Sequence, residues 1–187
     1  MITLSLRIDM TNTAKPLLLM LGDSLIDYGE WHRRLTDYRI ISSGIPGERT
    51  EGLLNRLSFQ PPGDAPQAIV IMSGTNNIVF GDLGFIDVLA RIITLLRDQY
   101  RHSEILLTSL LPYEIPGLID ALHSANQQMK FICEERGCHY FDLCSPFENS
   151  FDALFDFDGV HLSNLGYRLW ASLLNEYLRK LLAKQTE

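Results

Sequence analysis

Five short apolar runs alternate along this chain with longer stretches whose apolar residues recur at helical spacing. The runs are 17–21, ending at Gly22; the weaker 40–41; Ala68–Met72, ending at Ser73 and Gly74; 105–107, extending through Leu111 to a stop at Pro112; and 139–143. Continuous apolar runs of this length read as strands covered on both faces, which is the signature of a parallel sheet under helices. The helical stretches are 48–57, 85–97, 118–136, which stops at Gly137, and 165–182, with Ser163 or Asn164 as its N-cap. Alternation of this kind predicts an α/β fold with helices on both faces of a parallel sheet. In such sheets ligands bind beyond the carboxyl ends of the strands, so the residues after each strand are the ones to read for chemistry.

The 187 residues fit one domain, which buries roughly 70% of its unfolded surface and needs no disulfide or metal to hold a core. The 16 Lys and Arg against 23 Asp and Glu leave a net charge of −7, which argues against a nucleic-acid binder. The three cysteines, Cys133, Cys138 and Cys144, have no zinc-type spacing and read as buried thiols of a reducing compartment. No apolar run reaches the ~18 residues of a membrane span. Arg7 and Asp9 interrupt the N-terminus, so it does not read as a secretory signal, and the expected location is cytoplasmic. Residues 1–9 read as an extension to a single domain over 10–187, with Met10 as an alternative start. The segment 60–66 reads as a loop, not a linker.

Four strand-end or loop segments carry reactive groups. Gly22-Asp23-Ser24-Leu25 follows the first strand. It either caps a helix or holds a serine nucleophile beside turn amides that can stabilise an oxyanion. Gly44-Ile45-Pro46-Gly47-Glu48-Arg49-Thr50 follows the second strand and is a turn or a close approach to ligand. Ser73-Gly74-Thr75-Asn76-Asn77 follows the third; it offers an Asx-turn or an amide donor. Asp158-Gly159-Val160-His161 precedes the last helix, and a carboxylate three residues from an imidazole can orient it as a base. Each segment alone has an ordinary structural explanation. Together they supply a nucleophile, a base, an orienting carboxylate and three oxyanion donors along one sheet edge. His32, His102 and His123 read as surface residues, and His139 starts a strand.

These four segments resemble the sequence blocks of the GDSL/SGNH hydrolase family, and the resemblance runs from Leu17 to Leu182. It implies a three-layer α/β/α, flavodoxin-like fold with a five-stranded parallel sheet, and hydrolysis of esters or thioesters without a cofactor or metal. Matched residue by residue, Ser24 takes the place of the nucleophile, His161 the base and Asp158 the carboxylate orienting it. The oxyanion donors become the Ser24 N–H, the Gly47 N–H and the Asn76 side-chain amide, with Gly44 as the alternative to Gly47. Two positions depart from the family pattern: Ser42 replaces the usual Asn of the second block, and Asn77 replaces a frequent Asp. The third block, here Gly74-Thr75-Asn76-Asn77, also occurs as a GTNN-type block in family members resembling platelet-activating-factor acetylhydrolase.

The expected acyl-pocket wall comprises Ile78, Phe80, Leu111 and Tyr113, from the loops after the third and fourth strands. The chain has no large insertion to form a lid, which favours small or short-chain acyl groups. The expected partner is a small-molecule ester, with no nucleic acid and no membrane span. A carbohydrate O-deacetylase of the same fold, and a catalytically silent binding protein on this scaffold, are the alternatives.

Overall fold

The computed structural model describes residues 15–59 and 62–183, so the 1–9 extension and the Met10 start lie outside the described residues. The strands are β1 (Leu17–Gly22), β2 (Arg39–Gly44), β3 (Ala68–Met72), β4 (Glu104–Thr108) and β5 (His139–Phe141). All neighbours pair in parallel, in the order β2-β1-β3-β4-β5. The helices are α1 (Ser24–Asp27), α2 (Trp31–Arg34), α3 (Thr50–Phe59), α4 (Thr75–Val79), α5 (Phe85–Gln99), α6 (Ile119–Arg136), α7 (Cys144–Glu148) and α8 (Asn164–Ala183). α3, α5 and α6 pack side by side, and α2 packs on α8. Right-handed crossovers put these two groups on opposite faces of the sheet. The result is the expected three-layer α/β/α arrangement.

The core follows from the apolar runs. Every residue of β3 is buried, and β1 is buried except for the partly covered Leu19. α5 presses Phe85, Leu89, Ile92, Ile93 and Leu96 inward from its apolar stripe. On the other face Trp31 meets Trp170 edge-on, with ring centroids 4.7 Å apart, and the Trp31 indole N–H donates to the Ile26 carbonyl at 2.7 Å.

Several boundaries differ from the sequence expectation. β2 is longer than 40–41 and mostly half-exposed, as an edge strand is, so its apolar signal is weak. β4 ends at Thr108 although residues 109–111 are fully buried. There the Asn126 side chain takes over the pairing: its amide donates to the Leu110 carbonyl at 2.9 Å and its oxygen accepts from the Leu110 N–H at 2.8 Å. β5 stops at Phe141, and the Leu143 and Cys144 amides beyond it donate to the Ser109 hydroxyl. α1, α2, α4 and α7 are each four or five residues long, too short to show a helical period.

The sheet order reverses at β1, whose neighbours are β2 and β3. In register, Gly22 lies opposite both Gly44 and Met72. The carboxyl ends of three strands are therefore level, and the segments that follow them open into one crevice.

Candidate active site

The turn after β1 separates its two polar residues by role. The Asp23 carboxylate caps α1, its Oδ1 accepting from the Leu25 N–H at 3.0 Å. Ser24 is the first helical residue and its hydroxyl is left for another partner. That partner is His161, with Oγ 3.0 Å from Nε2.

His161 is held from behind. Its Nδ1 lies 2.6 Å from Asp158 Oδ2, while Asp158 Oδ1 accepts from the Val160 and His161 amides at 2.9 Å each. One carboxylate thus orients the ring and ties down its own loop. These bonds, the one from His161 foremost, hold the Asp158 carboxyl at about 2, below its usual range, so it is ionised wherever the ring needs a partner. The loop closes on itself through Asp156 N–H to His161 O at 2.8 Å and Gly159 N–H to Asp156 O at 2.9 Å. Gly159 sits at φ 68°, a left-handed turn that side chains rarely adopt. Asp156 enters this arrangement through its backbone, and the carboxylate on the ring is that of Asp158.

The segment after β2 is held by contacts the sequence reading did not foresee. Arg56, from α3, donates to the Ser43 hydroxyl at 2.6 Å, to the Ser43 carbonyl at 2.7 Å, and through Nε to both Glu48 carboxylate oxygens at 3.0 Å. The pair is little exposed, at 14% and 10% of the two side chains. Ser42, standing where the family pattern has Asn, makes only a long 3.5 Å contact with the Ile26 carbonyl. Arg56 therefore supplies the anchoring that the shorter serine does not. Gly44 is packed tightly against α1, whereas Gly47 is exposed. Among the described residues neither the Gly47 nor the Ser24 N–H has a protein acceptor, so both donors are open to a ligand.

Asn76 completes this edge. Its amide donates to the Glu48 carbonyl at 3.0 Å and approaches Asp23 Oδ2 at 3.5 Å. Asn77, fully buried, accepts from the Thr50 N–H at 3.0 Å and donates to Glu51 at 3.1 Å and Asp82 at 2.8 Å. An aspartate could not donate to two carboxylates, so the departure at Asn77 suits its surroundings.

Asp23 is 1% exposed, and burial pushes its carboxyl up to about 6, against the pull of the Leu25 amide, the Thr75 hydroxyl and the nearby His161. Two carboxyls near one imidazole are thus held at well-separated positions by their environments. Tyr28 was also unforeseen: its half-exposed ring leans on His161 with centroids 5.5 Å apart. Tyr167 braces the same corner by donating to the Leu25 carbonyl at 3.2 Å. A single half-exposed tyrosine four residues from a serine carries no sequence signal that could have found it.

The expected acyl wall is not an open surface. Ile78, Leu111 and Tyr113 are buried in the core, and the Tyr113 hydroxyl pairs with Thr75 Oγ1 at 2.7 Å. Phe80 alone of the four is exposed, with the Arg49 guanidinium 4.7 Å from its ring centroid.

A comparison with curated proteins found no match. Among solved structures, the chain is similar to a Streptococcus pneumonia protein whose name refers to platelet activating factor. The identity is 24% and the TM-score 0.76, over 90% of this chain and 86% of that one. It is also similar to a GDSL-like lipase from Bacteroides thetaiotaomicron, with 19% identity, TM-score 0.73 and 89% of each chain covered. A third likeness is to an acetylxylan esterase from Geobacillus stearothermophilus, with 19% identity and TM-score 0.71 over 86% of this chain and 93% of that one. At such identities the likeness is one of fold. The family model for GDSL-like lipases and acylhydrolases, however, matches residues 20–169, a span that includes all four segments converging at the crevice. The chain is thereby a member of the GDSL-like Lipase/Acylhydrolase family, a carboxylic-ester hydrolase.

Proposed function

We propose that the chain hydrolyses esters of short acyl groups through Ser24, His161 and Asp158. The observation that carries this reading is the unbroken chain of contacts from Ser24 Oγ to His161 Nε2 at 3.0 Å and from His161 Nδ1 to Asp158 at 2.6 Å. His161 takes the Ser24 proton as Oγ attacks the acyl carbonyl, and Asp158 fixes the tautomer and stabilises the imidazolium. The tetrahedral oxyanion is met by the Ser24 and Gly47 amides and by Asn76, whose amide turns from the Glu48 carbonyl toward it. The imidazolium protonates the departing alcohol. Water then attacks the acyl-enzyme, with His161 again as base.

Burial of Ile78, Leu111 and Tyr113 supports a short acyl group, since a long chain would need a slot between residues that instead fill the core. Deacetylation of carbohydrates is a second reading, favoured by the fold likeness to acetylxylan esterases.

The test is hydrolysis of p-nitrophenyl esters from acetate to dodecanoate, with acetylated xylan in parallel. Loss of kcat by about 10⁴–10⁶ in Ser24→Ala and His161→Ala, and by about 10²–10³ in Asn76→Ala, is expected. Covalent labelling of Ser24 by a fluorophosphonate should vanish in Ser24→Ala. Full activity in Ser24→Ala would refute the mechanism, and a preference for dodecanoate would refute the short-acyl assignment.

A further inference from the structure

A second group of reactive side chains lies at the far edge of the sheet from Ser24. β5 is three strand positions from β1, about 14 Å at ordinary strand spacing. There His123 of α6 meets Cys144 and Glu148 of α7, with one ligand atom from each lying within 4.8 Å of the others. His123 Nε2 is 2.5 Å from Glu148 Oε1. The three line a cavity of about 280 Å³ together with Asp142, Asn126 and Lys130.

The fold holds Cys144 in place, while His123 and Glu148 reach toward it from the surface. Cys144 is buried, and its own N–H and that of Leu143 both donate to the Ser109 hydroxyl at 2.9 Å. Asn126, one helical turn after His123, is fixed by its two bonds to Leu110. Asp142 accepts from the Ser145 N–H and hydroxyl, which keeps its charge at the start of α7. The carboxylates of Asp142 and Glu148 face one cation, Lys130, across this cavity. The site therefore combines a thiol, an imidazole and a carboxylate in a locally negative setting.

We infer that His123, Cys144 and Glu148 form a binding site for a zinc-class divalent ion, joining α6 to α7. Zinc accepts sulfur at about 2.3 Å and nitrogen or oxygen at about 2.0–2.2 Å. Tetrahedral bonds of those lengths place ligand atoms roughly 3.3–3.7 Å apart, so the present spacing needs only side-chain rotation. The His123–Glu148 hydrogen bond opens as both atoms turn to the metal. Magnesium and calcium prefer all-oxygen shells and would not take the thiol. Binding displaces the Cys144 thiol proton to solvent and leaves the fourth position to water.

The test uses the full chain after chelator treatment and dialysis. Zinc titrated by calorimetry should bind one ion per chain with a dissociation constant of roughly 1 µM or tighter, and saturating zinc should raise Tm by roughly 5 °C. Cobalt should give a thiolate-to-metal charge-transfer band. Cys144→Ser should abolish that band, and His123→Ala should weaken zinc binding at least about tenfold, with circular dichroism checking that both variants fold. No binding at 100-fold the expected dissociation constant, or binding unchanged in Cys144→Ser, would overturn the assignment. So would binding lost in Cys138→Ser but kept in Cys144→Ser, which would place the ion at another thiol. None of these readouts depends on ester hydrolysis.

Discussion

Asp23→Asn should make the protein more stable at alkaline pH than at acid pH, relative to wild type. The side chain is 1% exposed and burial raises its carboxyl from 3.8 to about 6. In the unfolded chain it ionises near 3.9. Between those values the native state binds more protons than the unfolded one, so its stability falls as pH rises through the window. Above about pH 6 the full cost of the buried charge is present, about 3 kcal/mol at 1.36 kcal/mol per pH unit. An asparagine keeps the shape and the Oδ1 cap on Leu25. Its amide can donate to Thr75, whose hydroxyl then donates to Tyr113 in place of accepting from it. Urea unfolding of both proteins at pH 4 and pH 8 should show the difference between them shifting by about 2–3 kcal/mol in favour of the variant. At pH 8 this corresponds to a gain of roughly 5–10 °C in Tm over the pH 4 difference. A stability difference independent of pH, or one that moves against the variant as pH rises, would refute the claim that Asp23 is a buried charge tolerated at a cost.

Three further outcomes are expected. Gly44→Ala should destabilise by more than about 3 kcal/mol or fail to fold, because its Cβ would lie 2.4 Å from the Asp27 nitrogen and 2.6 Å from the Asp23 carbonyl, both backbone atoms; thermal melts read this directly. Asp158→Asn should lower kcat by about 10⁴ on p-nitrophenyl acetate while Asp156→Asn lowers it by less than about tenfold, since only Asp158 meets the imidazole. Tyr28→Ala should raise KM several-fold with kcat little changed if the exposed ring beside His161 carries the leaving alcohol, and steady-state kinetics separates the two parameters.

Much of this architecture was legible in the chain because its strands are buried on both faces. β1 and β3 announce themselves as unbroken apolar runs, and α8 was placed to within a residue at each end, with the Ser163 hydroxyl accepting from the Gly166 N–H as an N-cap should. The half-exposed edge strand β2 gave a faint signal because only part of it is covered. β4 was overextended because burial, which the sequence reveals, does not imply pairing, and at Leu110 the partner is a side chain. The residues proposed as nucleophile, base and orienting carboxylate could be named because each lies in a short motif, and the fold brings those motifs together. Arg56, Tyr28 and the buried state of Asp23 could not, because their significance depends on neighbours far away in the chain. Apolar residues after a strand are equally suited to a wall or a core, so the sequence could not tell that Ile78, Leu111 and Tyr113 are buried while Phe80 is exposed.

Ser24 and His161 are 137 residues apart in the chain, and the loop carrying His161 immediately precedes α8. Under the proposed mechanism, a ribosome that has already released β1 through β5 has made Ser24 but not the base, His161. On that mechanism, hydrolytic competence waits until the His161 loop has emerged and α8 has docked. During refolding, the return of activity should lag behind the recovery of sheet structure, making turnover a report on the last step of assembly. Unfinished chains, truncated before Asp158, would carry an unpaired serine and no esterase activity to release into their surroundings.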